Sequence, residues 1–223
     1  MTKNIFKDDL NVADEIAKFV DTYFWAKTKA KIERIPYDTY EHKQMQRRGI
    51  DLIATSPNGM QIKIDEKAKI SGLVNKEIEK TSVEIISWGN DGWFINEDNE
   101  TDFYAFITIS CDNSVEEEKD IRFENITEAN YILINKRGLK KWLENEYELT
   151  ADRLRNDAMD LLQYNVRKGN YIPKSKASKP LYLTCSRKYS SIPVNLVLYM
   201  EDLLTHDFAA KIKINASKYQ KIS

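Results

Sequence analysis

Apolar positions recur at helical spacing from Asn11 to Phe24, with Val12, Ile16, Phe19, Val20 and Tyr23 on one face and Asn11 at the N-cap position. Lys31 to Ile35 reads as a short strand ended by Pro36. Ile50 to Lys67 reads as a β-hairpin about Pro57-Asn58-Gly59, a strong turn signal. Ser82 to Trp88, Phe103 to Ser110 and Ile132 to Ile134 carry strand-like runs of β-branched and aromatic residues. A helix follows from Asn135 to Glu148, with Leu139, Trp142, Leu143 and Tyr147 on its stripe. Thr150 caps another helix to Gln163, with Leu154, Ala158, Leu161 and Leu162 inward. Val194 to Leu198 is a strand and Glu201 to Ala210 a short helix. This order predicts an α/β fold, a mixed central sheet flanked by helices.

Composition narrows the class. The 223 residues are 42% hydrophobic, which is enough for a buried core. No apolar run approaches the roughly 18–20 residues of a membrane span, and residues 1–9 lack a signal-peptide core, so a cytoplasmic protein with no membrane partner is expected. Cys111 and Cys185 stand far apart, and only His42 and His206 accompany them, which argues against a zinc site. The charge of −1 is a cancellation: residues 1–149 hold 21 basic and 29 acidic residues, and residues 150–223 hold 13 and 6. Leu161 to Met200 contains no acid and carries Arg167, Lys168, Lys174, Lys176, Lys179, Arg187 and Lys188 among five tyrosines. Basic residues interleaved with aromatic rings suit a polyanion. The charge change divides the chain into a core, 1–149, and a basic C-terminal α/β extension, 150–223, packed on it.

The chemistry lies in the hairpin. Asp51, and then Asp65, Glu66 and Lys67, are charges set among β-branched residues on half-buried strands, where they need partners or a cation. Asp65 and Lys67 are two apart and share a face. A three-residue loop with a left-handed Gly59 sets Asp51 opposite Asp65, whereas a two-residue loop sets it opposite Glu66; a one-residue slip exchanges the faces. The first register is favoured, because it gathers both aspartates and the ammonium. Two carboxylates and a lysine suit Mg²⁺ (or Mn²⁺) and phosphodiester hydrolysis. The plain alternative is a salt-bridge ladder on an exposed sheet face.

At these residues the sequence resembles the PD-(D/E)xK nuclease superfamily, whose restriction-endonuclease-like core places an acid on one hairpin strand and Asp/Glu-x-Lys on the next. The resemblance extends to a phage- and bacterium-associated group of such proteins. It runs through Gln46 to Asp51, Ile64 to Ala68, Thr81 to Glu84, Gly92 to Phe94 and Thr101 to Tyr104, with an echo at Pro193 to Val197. It departs where Gly49 and Ile50 precede Asp51 in place of proline, where Asp65 replaces the commoner glutamate, and where Glu66 fills a usually hydrophobic position. The resemblance implies a metal-dependent nuclease acting on DNA more than RNA. Asp51, Asp65, Glu66 and Glu84 then form the set of metal-binding acids, Lys67 assists water activation, and Glu15 is the corresponding helix acid.

Arg47 and Arg48, with Gln46, would contact phosphates beside Asp51, while Arg167, Lys168, Lys174, Lys176, Arg187 and Lys188 would track the backbone. Asp38 and Glu41 are near enough in sequence to be considered. Trp88, Trp93 and Phe94 read as core or rim packing. A non-catalytic nucleic-acid-binding or protein-interaction module on the same fold is the alternative, the latter using the acidic 91–128 surface. A homodimer is compatible with double-strand cleavage.

Overall fold

The first amphipathic stretch forms one long helix, α1 (Thr2–Tyr23). It begins nine residues before the expected start, so Asn11 lies inside the helix and is not its cap. After it come β1 (Lys31–Arg34), α2 (Tyr40–Arg47), β2 (Leu52–Thr55), β3 (Gln61–Ala68), β4 (Lys80–Ser87), β5 (Asn90–Asp91), β6 (Phe103–Cys111) and β7 (Ile126–Asn135). The chain continues through α3 (Lys136–Tyr147), α4 (Ala151–Tyr164), β8 (Tyr182–Cys185), β9 (Val194–Tyr199), α5 (Met200–Leu203), β10 (Ala209–Asn215) and β11 (Tyr219–Lys221). The structure is a computed structural model that describes residues 2–36, 38–68, 79–164, 171–186, 192–216 and 219–221. Among the described residues no helix is long and apolar enough to cross a membrane.

The strands form two sheets. The central one has seven strands in the order β1-β2-β3-β6-β7-β10-β11, and the second has four, β5-β4-β9-β8. All central neighbours are antiparallel except β3 and β6, which are parallel. A parallel pair needs a crossover. Here β4 and β5 of the second sheet lie in that crossover, which carries Glu84 and Trp93 toward the β3 face.

Both faces of the central sheet are covered, which explains why β6 is apolar at nearly every position. Ala105 and Ile107 join Val12, Ile16, Phe19 and Val20 of α1, together with Leu52, Ile64 and Tyr131. Tyr104 and Phe106 point the other way, into a core with Val83, Ile85 and Phe94, Leu139 and Trp142 of α3, and Leu154 and Ala158 of α4. α3 and α4 form close to expectation, and the Asn135 carboxamide accepts from Gly138 N at 2.8 Å as the α3 cap.

Two segments differ from the sequence reading. β7 spans ten residues rather than three. The helix expected to reach Ala210 stops at Leu203, and Ala209 and Ala210 open β10, paired with Ile134 and Leu133 of β7. Lys211, Ile212, Lys213 and Ile214 alternate with a period of two, which is a strand pattern. Residues 150–223 therefore supply strands to both sheets: β8 and β9 beside β4, and β10 and β11 beside β7. The division at residue 149 describes charge.

On β3, period-two alternation sends Ile64 and Glu66 toward α1 and Asp65 and Lys67 to the opposite face. Glu66 Oε2 pairs with Arg34 Nη1 at 2.6 Å, and Oε1 accepts from the Tyr131 hydroxyl at 2.7 Å. Arg34 also holds Asp21 of α1 through Nε at 2.6 Å and Nη2 at 2.8 Å. Burial opposes the Arg34 charge, but Asp21 and Glu66 outweigh it and raise the pKa further. This network ties α1, β1, β3 and β7 together. Glu66→Ala leaves Arg34 Nη1 and the Tyr131 hydroxyl without this acceptor, and is expected to cost about 2–4 kcal/mol in urea denaturation, with Glu66→Gln milder. An unchanged Glu66→Ala midpoint would contradict this role.

Candidate active site

The 57–59 turn decides the register. Ser56 N donates to Met60 O at 2.9 Å, Gly59 N donates to Ser56 O at 2.9 Å, and Gly59 sits at φ +84°. The three-residue loop is thus the one formed. Leu52 pairs with Ile64 and Ala54 with Ile62, and continuing this register brings Asp51 beside Asp65. Asp51 N donates to Ile64 O at 3.0 Å, and Asp51 Oδ2 accepts from Glu66 N at 2.9 Å.

The turn leading into Asp51 is pinned from outside. Gly49 has φ +76°, and a Cβ there would stand 2.3 Å from Asn99 Nδ2 and 2.6 Å from Thr101 Oγ1. Only glycine fits both the backbone and the space. The Thr101 hydroxyl donates to Gly49 O, and Glu100 N donates to Arg48 O at 2.8 Å. Asp102 joins three elements: its carboxylate accepts from Lys63 N at 2.8 Å, its N–H donates to Lys63 O at 2.9 Å, and its carbonyl accepts from Lys136 N at 2.9 Å.

The carboxylate of Asp65 is 1% exposed, with Lys67 Nζ 2.5 Å from its Oδ1. The Asp51 carboxyl lies against it. Beyond these two neighbours, no donor of suitable geometry among the described residues reaches either Asp65 oxygen. Burial, followed by the charge of Asp65, pushes the Asp51 pKa up to about 7. Burial opposes the Lys67 ammonium, but Asp65, Asp51 and Glu84 outweigh it and raise its pKa. The ammonium also lies 5.3 Å from the centre of the Trp93 ring.

Glu84 borders this group without joining the two aspartates. Burial raises its pKa, against a hydrogen bond from Ser87, the charge of Lys67 and a bond from Trp93 N. Gly92 packs on it so closely that a Cβ would stand 2.6 Å from the Glu84 carbonyl oxygen. Two residues escaped the sequence reading. Tyr104 lies opposite Asp65 in the parallel pairing, its hydroxyl is buried without a partner, and burial and Asp65 raise its pKa. Lys136 Nζ donates to Asn99 O and Oδ1, both at 2.6 Å, and burial and Lys140 bring its pKa down to about 8, against Asp102 and Asp65. Tyr104 reads in the sequence as one more strand aromatic, because its neighbour is set by a parallel pairing 39 residues away.

Other expected residues go elsewhere. Glu66 points to the opposite face and is held by Arg34 and Tyr131. Glu15 is turned from the site: its Oε2 accepts from Phe123 N at 2.7 Å. Arg48 pairs with Glu100 at 2.9 Å, Gln46 caps Ile35 O at 2.7 Å, and Arg47 is exposed at the end of α2. Asp38 Oδ1 lies 2.6 Å from His42 Nδ1, and Glu41 is exposed in the first turn of α2. Lys174 pairs with Glu148 at 3.3 Å, and Lys176 is exposed. Arg167, Lys168, Arg187 and Lys188 lie outside the described residues.

Among the described residues, no group of three or more His, Cys, Asp or Glu side chains is arranged to hold a metal. The two aspartates nonetheless fit a hard cation. They are oxygen donors forced together, with the Asp51 carboxyl and the Lys67 ammonium against the buried Asp65 carboxylate. No protein-family model, curated protein or solved structure matches the chain.

The Asp51 shift has a definite sign. Its folded pKa exceeds its ordinary 3.8, so between about pH 4 and pH 7 the native state holds more protons than the unfolded one, and stability falls as pH rises through that window. Melting curves in chelator from pH 4 to 8 should show this fall, a penalty on the order of a few kcal/mol that is complete above pH 7. Asp51→Asn should flatten the profile and raise the melting temperature at pH 8. An identical slope in the variant would contradict the assignment.

Proposed function

We propose that this chain is a restriction-endonuclease-like protein that hydrolyses nucleic-acid phosphodiester bonds with a divalent cation, DNA more readily than RNA. The observation carrying this reading is the half-buried Asp51 against the buried Asp65, with the Lys67 ammonium on the same face. Asp51 and Asp65 would hold Mg²⁺ or Mn²⁺. When bound, such a cation supplies Lewis-acid stabilisation of phosphate charge and lowers the pKa of water. Lys67, with its pKa raised, is protonated at neutral pH and serves as a donor toward a phosphate oxygen rather than as the base. Its contact with Asp65 fixes the ammonium. Asp51, with a pKa near 7 before any cation binds, is able to hold or release a proton at neutral pH. Trp93 and Tyr104, in edge contact at 4.9 Å between ring centres, form the apolar wall that limits water.

One observation favours a second reading, a non-catalytic nucleic-acid-binding module on the same fold: Glu66 and Glu84 are both engaged away from the aspartate pair. The readings separate in a cleavage assay on plasmid and single-stranded substrates with Mg²⁺ or Mn²⁺. Asp51→Asn and Lys67→Ala are each expected to lower cleavage by about 100-fold or more while sparing substrate binding. A wild-type protein that binds nucleic acid but neither cleaves it nor takes up either ion in calorimetry would favour the second reading and contradict the first.

A further inference from the structure

The β4–β5 hairpin borders the aspartate pair, and its tip has an unexpected composition. Ser87 pairs with Asn90, which leaves a two-residue turn of Trp88 and Gly89 with φ of +53° and +73°. Such a turn calls for left-handed backbone at both positions and is normally filled by Asn, Asp or Gly. An indole-bearing residue there sets its Cβ against the following carbonyl, which is unfavourable. Packing does not offset that strain, because Trp88 is 67% exposed. Trp25 and Trp142 are buried, and Trp93 is half-buried beneath Lys67. The expected packing role therefore holds for Trp93 and Phe94 and fails for Trp88.

The tip is also held rigidly. Asn90 Nδ2 donates to Trp88 O at 3.3 Å. Asp91 takes a fork of two bonds from Arg155, through Nε and Nη2, both at 2.7 Å. Gly92 N donates to Ile85 O at 2.7 Å. The same hairpin carries Glu84 and Trp93, both of which face Lys67. Trp88 follows Glu84 by four residues, just past the end of the same strand.

We infer that Trp88 is a base-stacking residue and that the substrate of the Asp51–Asp65–Lys67 site is nucleic acid with unpaired bases, single-stranded or locally opened. This rests on the nuclease reading. The flanking residues Ser87, Gly89 and Asn90 are polar or bare, so the indole is the one large apolar side chain of the turn. A π-face beside a phosphodiesterase site matches a nucleobase, and bases inside a duplex have theirs already covered. Arg155, which pairs with both Asp91 and Asp152, offsets part of the acidic charge beside the tip.

The test is anisotropy of a labelled oligonucleotide, as a single strand and as its duplex, in Ca²⁺ to limit turnover, with the full-length protein and its Trp88→Gly and Trp88→Phe variants. Glycine suits φ +53°, so Trp88→Gly should melt at or above the wild-type temperature. It should nonetheless bind the single strand roughly tenfold or more weakly, the range of one lost stack. Trp88→Phe should retain most of the affinity, and duplex binding should be equal in all three. A wild-type preference for duplex, or single-strand affinity unchanged in Trp88→Gly, overturns the stacking role while leaving the nuclease reading intact. A wild-type protein that binds neither form overturns both.

Discussion

Asp51 and Asp65 are pressed together on one strand pair, in surroundings that oppose their charge and beside a single ammonium. Much of the surrounding structure holds them there. The 57–59 turn sets the register, and Gly49 lets the chain pass under Asn99 and Thr101 to reach Asp51. Asp102 clamps β3 to the start of β6 and to the first residue of α3. A pair of like charges held this way is unfavourable in the empty protein and suited to a doubly charged oxygen-seeking ion. This tension between stability and charge is of the kind expected at functional sites.

β3 carries charge to both faces of a sheet that is covered on both sides. Successive residues Asp65 and Glu66 meet different fates because the side-chain period is two. Glu66 enters an ion network that joins α1 to the sheet, where arginine and tyrosine satisfy both its oxygens. Asp65 faces the second sheet, where Lys67, Tyr104 and another acid approach it. One strand thus separates a structural carboxylate from a chemical one.

Local pattern made much of this legible in the sequence. Asn58-Gly59 announces the turn, Leu52, Ala54, Ile62 and Ile64 announce the buried face, and Asp65 with Lys67 follow on the other. Relations across long stretches of chain were not legible. Tyr104 meets Asp65 only because β6 pairs in parallel with β3, and Glu84 stops short because Ser87 and Trp93 N engage it. Glu15 lies on the expected helix, yet rotation about the helix axis carries it to Phe123. The helix expected from Glu201 to Ala210 stops at Leu203, and the Lys211–Ile214 alternation belongs to a strand. The charge division at residue 149 marks composition, whereas strands from beyond it complete both sheets.

The most direct measurement is anomalous scattering from crystals soaked in Mn²⁺, with data collected near the manganese edge. An anomalous peak is expected within bonding distance of one carboxylate oxygen from each of Asp51 and Asp65, with Lys67 displaced from Asp65 toward solvent or a phosphate. Well-ordered crystals in which Mn²⁺ occupies other surface carboxylates, while Asp51 and Asp65 remain hydrogen-bonded to each other and to Lys67 alone, would contradict it.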